Sequence, residues 1–122
     1  MHEMSLMESV RDIVEDAARA HGARRVTTVR LRIGALSTVD AGALRFCFDV
    51  VMHDGVAEGA ALEIETEPGA AWCWDCQVAV AVLAEGAGCP TCGGHRLQVT
   101  GGTDMRVKDI DLATEPELPT CA

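Results

Sequence analysis

CWDCQVAVAVLAEGAGCPTC, residues 73–92, sets two cysteine pairs twelve residues apart. The spacing C-x2-C-x12-C-x2-C puts four thiolates on two short turns, which suits a tetrahedral Zn2+ with sulfur ligands at about 2.3 Å. In each turn one sulfur binds while the backbone folds back to aim the second. Gly93 follows the second pair and tolerates the positive φ that such a turn demands. The first pair has Gln77 in that place, so its turn is expected to be less regular. A redox dithiol would need its cysteines at a helix N-terminus, where the dipole lowers the thiol pKa. Neither pair opens a helix: Val78–Val82 reads as a strand, and Gly93-Gly94 opposes helix. With Cys73, Cys76, Cys89 and Cys92 filling all four positions, the zinc is expected to be structural rather than catalytic.

The texture around this stretch differs from the rest of the chain. From Ala71 to Gly102 there is no amphipathic helix, only short strand-like pieces (78–83 and 97–99) between cysteine pairs and glycines. About thirty residues bury too little to fold alone, so the segment needs a metal staple. It reads as an inserted zinc-ribbon-like domain, 71–102, set into a domain made of 1–70 and 103–122.

On the N-terminal side, residues 4–21 read as an amphipathic helix with Leu6, Val10, Ile13, Val14 and Ala17 on one face. Ser5 and Glu8 fit a capping box, and Gly22 suits a left-handed stop. His2 and Glu3 then precede the helix. RVTTVRLRI (25–33) alternates as a strand with Val29, Leu31 and Ile33 inward and Arg30 and Arg32 outward. A second helix is expected from about Asp40, its N-cap, to Met52, with Leu44, Cys47, Phe48 and Val51 on the buried face. ALEIET (61–66) is a strand with Leu62 and Ile64 inward, broken by Pro68-Gly69. Beyond the insert, DMRVKDIDL (104–112) is a strand whose apolar phase changes near Lys108-Asp109, which suggests a bulge. The tail with Pro116 and Pro119 is expected to fray. The sum is an α+β fold: a three-stranded sheet packed with two helices, plus the inserted zinc module.

Composition narrows the function. The 122 residues include 48% hydrophobic but only 3% aromatic side chains, so the core is aliphatic. A net charge of −9 disfavours nucleic acid and favours cations or basic partner surfaces. The longest apolar run, VAVAVLA (78–84), is too short to span a bilayer, and no signal peptide is visible. The expected compartment is the cytoplasm, where thiols stay reduced and six cysteines point to metal chemistry. Cys47 reads as a small core residue, His95 as a solvated loop histidine and Cys121 as a free tail thiol. No nucleophile–base pair, phosphate loop or open metal site stands out, so an enzyme is not expected.

The chain opens MHEMSL. With a bulky second residue, the initiator methionine is expected to stay in place. The Met1 amine, the His2 amide and the His2 imidazole close adjacent chelate rings on one metal, and Glu3 offers a further donor. Such a nitrogen-rich set suits Ni(II) or Cu(II).

MHEMSL resembles the start of the HypA/HybF family, nickel-insertion proteins of NiFe-hydrogenase maturation. LRIGALS, LRFCFDVV, LEIE, the two cysteine pairs and GGTDMRVKDIDL are similar to that family in order and spacing, covering residues 1–112. The resemblance implies a nickel metallochaperone with structural zinc at the four cysteines. Its nickel donors would be Met1, His2 and Glu3, with the carboxylate of Asp40. Its partners would be the maturation GTPase HypB and the hydrogenase large-subunit precursor; some relatives also serve urease. The expected state is a monomer or weak homodimer, without nucleic-acid or membrane partners. Many members of the family have Pro-Glu where Ala41-Gly42 stand here, which weakens the start of the second helix and removes one nearby carboxylate. The competing expectation is a zinc-ribbon protein-binding adaptor with no metal cargo.

Overall fold

The chain runs α1 (His2–Ala20), β1 (Arg25–Gly34), α2 (Ala41–Val51), β2 (Ala61–Glu67), β3 (Gly69–Cys73), β4 (Val78–Val82), β5 (Leu97–Gly101) and β6 (Met105–Ala113). These elements come from a computed structural model that describes residues 2–113. The strands form two three-stranded sheets, ordered β2-β1-β6 and β4-β3-β5. Within residues 2–113 the chain divides into two compact units: 2–31, 40–63 and 107–113 in one, Arg32–Val39 and Ile64–Arg106 in the other.

The core of the first unit is aliphatic, as the composition requires. Met7, Val10, Val14 and Ala18 of α1, Leu44, Cys47, Phe48 and Val51 of α2, and Val26, Val29 and Leu31 of β1 are all buried. Burial of each larger side chain is worth about 1.5–3 kcal/mol. Two expectations for α1 are corrected. Ile13 is 52% exposed, because the buried stripe follows Met7, Val10, Val14 and Ala18 and leaves Ile13 on its flank. Ser5 lies inside the helix and caps nothing, because the helix already begins at His2. His2, Glu3 and Met4 contain no breaker, and Glu3 in the first turn suits the positive end of the dipole.

The expected stop at Gly22 is present, with φ +64. The Gly22 N–H donates to Arg19 O and the Ala23 N–H to Ala18 O, the paired bonds of a Schellman end. At the far end of α2, Arg11 of α1 donates to Val51 O and pairs with Glu15 at 2.8 Å. A cation there satisfies a free carbonyl and complements the dipole. On β1, Arg30 joins both neighbouring strands through Glu63 (2.9 Å), Asp109 (2.8 Å) and Asp111 (2.9 Å). Exposure along β6 changes phase at Lys108-Asp109, where two consecutive residues face solvent.

In the second unit Leu36, Ala71 and Val82 are buried, with Val80 and Leu97 packed against them. β3 is the central strand, antiparallel to both β4 and β5. The sequence pattern predicts no strand over its length, Gly69–Cys73, since Pro68-Gly69 breaks the preceding strand. Pairing on both edges holds it extended instead. Gly34, Gly69 and Gly102 crowd together here. A Cβ on Gly34 would overlap the Gly102 carbonyl, and one on Gly102 would overlap Gly69 Cα.

Candidate metal centres

Cys73 ends β3 and is fully buried, its backbone paired with Leu97 on one side and Val78 on the other. The chain then turns twice in the same way. Gln77 N–H donates to Cys73 O at 2.7 Å, and Gly93 N–H donates to Cys89 O at 2.8 Å. Gln77 takes φ +57, close to the +74 of Gly93, so the first turn is as regular as the second. The expectation of a less regular first turn is thereby corrected: a glutamine adopts the left-handed backbone itself. Backbone N–H groups of Cys76, Thr91 and Gly94 each donate to a sulfur at 3.4 Å, on Cys73, Cys89 and Cys92 respectively.

The turns bring the four sulfurs within 4.8 Å of one another. Cys73 and Cys92 Sγ are 3.8 Å apart, Cys76 and Cys89 Sγ 3.9 Å. A tetrahedron with Zn–S of about 2.3 Å has edges of about 3.8 Å, so these two spacings suit zinc. Electrostatics agree. N–H groups of Cys92 and Thr91 aimed at the Cys89 sulfur bring its thiol down to about 6. The Cys76 thiol is pushed up to about 12 by its hydrogen bond to Cys92 and by desolvation. Four sulfurs this close do not all ionise unless a cation sits among them. The rings of Trp72 and Trp74 flank the site edge to face, centroids 6.2 Å apart.

The N-terminal residues lie in the other unit. Met1 is outside the described residues. His2 opens α1 and is exposed, and Glu3 is half-buried. Asp40 is the N-cap of α2 as expected, its Oδ1 accepting from Gly42 N (2.8 Å) and Ala43 N (3.4 Å). The same residue's N–H donates to Glu3 Oε2 at 3.3 Å, so Glu3 and Asp40 meet. His2 does not join them in a three-donor group among the described residues.

One cluster escaped the sequence reading. His53 Nδ1 lies 3.0 Å from Glu58 Oε2 and Nε2 lies 3.5 Å from Asp54 Oδ2, all three exposed. HDGVAE offers no periodic signal; the turns after α2, with Asp54 at φ +64, gather the two carboxylates around a surface histidine. Cys47 is buried in α2 as expected. His95 is exposed and stands apart from the sulfurs, on the wall of a cavity of about 330 Å³ with Leu36, Val82 and Leu97. Cys121 is outside the described residues.

Residues 1–112 match the family described as hydrogenase/urease nickel incorporation, metallochaperone, HypA. The hydrogenase maturation factor HypA of Azoarcus sp. strain BH72 is 54% identical over 112 residues, 92% of this chain and 98% of that protein. The hydrogenase maturation factor HybF of Klebsiella pneumoniae is 46% identical over 111 residues, 91% of this chain and 98% of the other. The solution structure of the Ni metallochaperone HypA from Helicobacter pylori aligns with a TM-score of 0.69 at 26% identity, covering 94% of this chain and all of that one.

Proposed function

We infer the function from one premise: the chain belongs to the HypA family of hydrogenase and urease nickel-incorporation metallochaperones. It is a nickel metallochaperone of hydrogenase maturation, and its cargo is Ni(II). The observation that carries this is the family match over residues 1–112, which includes both the His2 terminus and the four-cysteine centre.

The finer assignments are our proposal. Zn2+ is the resident metal at Cys73, Cys76, Cys89 and Cys92, supported by sulfur spacings of 3.8 and 3.9 Å. It supplies a cross-link, and the chain supplies the turns and N–H donors that aim each sulfur. Nickel is held by Met1, His2 and Glu3, with Asp40 next to Glu3. A helix that starts at His2 supports this, because the first four N–H groups of a helix have no partner within it. Amide ligation at His2 and Glu3 therefore breaks no helical bond. Protons compete with nickel for the amine, amide and imidazole, so nickel leaves as pH falls and binding is clearly weaker at about pH 6.

The receiving machinery is the GTPase HypB and the large-subunit precursor of a NiFe-hydrogenase, in the cytoplasm. The chain performs no catalysis of its own, acts as a monomer or weak homodimer, and binds no nucleic acid. No helix among the described residues is long and apolar enough to cross a membrane. We place the insert at 71–102 within 1–70 and 103–122.

The test is complementation of a strain lacking its own family member. Wild type restores hydrogenase activity, and His2→Ala does so only when nickel is added to the medium. A His2→Ala chain that matches wild type in low nickel would favour the adaptor without metal cargo.

A further inference from the structure

Between Phe46 and Met105 the sequence contains one Lys or Arg, Arg96. It lies just past the second cysteine turn and reaches back to the first. Its Nη1 donates to Asp75 Oδ1 at 2.7 Å, and its carbonyl accepts from Trp74 N–H at 3.0 Å. Trp74 and Asp75 are the two residues between Cys73 and Cys76. The Asp75 carboxylate stands beside the sulfurs: a Cβ on Gly94 would lie 3.2 Å from Asp75 Oδ2 and 3.4 Å from Cys92 Sγ. The other arginines of this unit are committed elsewhere, Arg32 to Glu65 and Arg106 to Glu67.

Zn2+ among four thiolates leaves a net charge of −2. Asp75 adds a negative charge beside it, in a chain whose net charge of −9 includes that carboxylate. We propose that Arg96 is the positioning residue of the zinc centre: its guanidinium offsets this charge and clasps the first cysteine turn to the exit of the second, raising zinc affinity. This rests on zinc being the resident metal. A short, partly screened ion pair at the surface is worth up to about a fivefold change in an equilibrium constant. The effect should belong to the charge, and so weaken with salt.

The experiment uses the full chain as wild type, Arg96→Gln and Arg96→Lys. Zinc affinity is read by competition with a chromophoric chelator at one fixed pH, in about 0.1 M and about 1 M salt. Near-UV circular dichroism of Trp72 and Trp74 checks that the fold is kept. The expected result is an affinity about fivefold lower for Arg96→Gln at low salt, a smaller gap at high salt, and Arg96→Lys within about twofold of wild type. Equal affinity of Arg96→Gln and wild type would overturn the proposal. So would a loss in Arg96→Lys as large as in Arg96→Gln, or a gap that salt does not change. A wild type that takes up no zinc would instead overturn the zinc assignment, and this proposal with it.

Discussion

Gln77 and Gly93 fill equivalent positions at unequal cost. Both hold a left-handed backbone, but only glycine adopts it without a Cβ contact, and for other residues the cost is about 1–2 kcal/mol. Gln77→Gly is therefore expected to raise stability by about 1 kcal/mol in urea unfolding, with zinc stoichiometry unchanged; a less stable variant would show that the glutamine side chain contributes more than its backbone costs. Asp40 is a cap first. Asp40→Ala should cost about 1 kcal/mol of stability and Asp40→Asn much less, since Asn keeps the acceptor for Gly42 and Ala43. At this scale the sequence was most informative where chemistry restricts residue type. Four cysteines at C-x2-C spacing have few uses, whereas His53, Asp54 and Glu58 look like any polar loop until the chain folds.

Elements were legible where periodicity was strong and obscure where neighbours decide. β1, α2 and β2 follow their apolar patterns to within a residue or two. β3 could not be read from GAAWC, because its conformation is imposed by β4 and β5. Periodicity alone does not settle the face of α1 at Ile13, because two apolar rows lie side by side on that helix. Two tests belong here. Gly34→Ala drives a Cβ into the Gly102 carbonyl, and is expected to cost about 2 kcal/mol or more, read from the denaturation midpoint. Arg30 holds the Asp111 carboxyl below the usual carboxylate range, chiefly by its hydrogen bond. That stabilisation is fully present above the unfolded carboxyl pKa of about 3.9 and is lost progressively below it, as pH falls through the lower folded value. The drop in Tm caused by Arg30→Ala should thus be larger at about pH 7 than at about pH 3.

The whole molecule combines two kinds of stabilisation. Residues 2–31, 40–63 and 107–113 bury their own aliphatic core, and the β4-β3-β5 sheet has a small one of Leu36, Ala71 and Val82. With zinc at the four cysteines, as proposed, the second would depend on metal, because a site absent from the unfolded chain returns its binding energy as folding energy. Chelation should abolish the near-UV signal of Trp72 and Trp74 while leaving the helical far-UV signal of α1 and α2 largely intact. The proposed N-terminal metal site draws its weight from its company, the four-cysteine module, since three residues of such mixed chemistry are common by chance at a loose chain end. The decisive measurement is a calorimetric Ni(II) titration of the zinc-loaded protein, run beside His2→Ala and a form with one residue added before Met1. The account predicts about one Ni per chain for the native terminus alone, with clear weakening at about pH 6. Equal binding by all three proteins would contradict it.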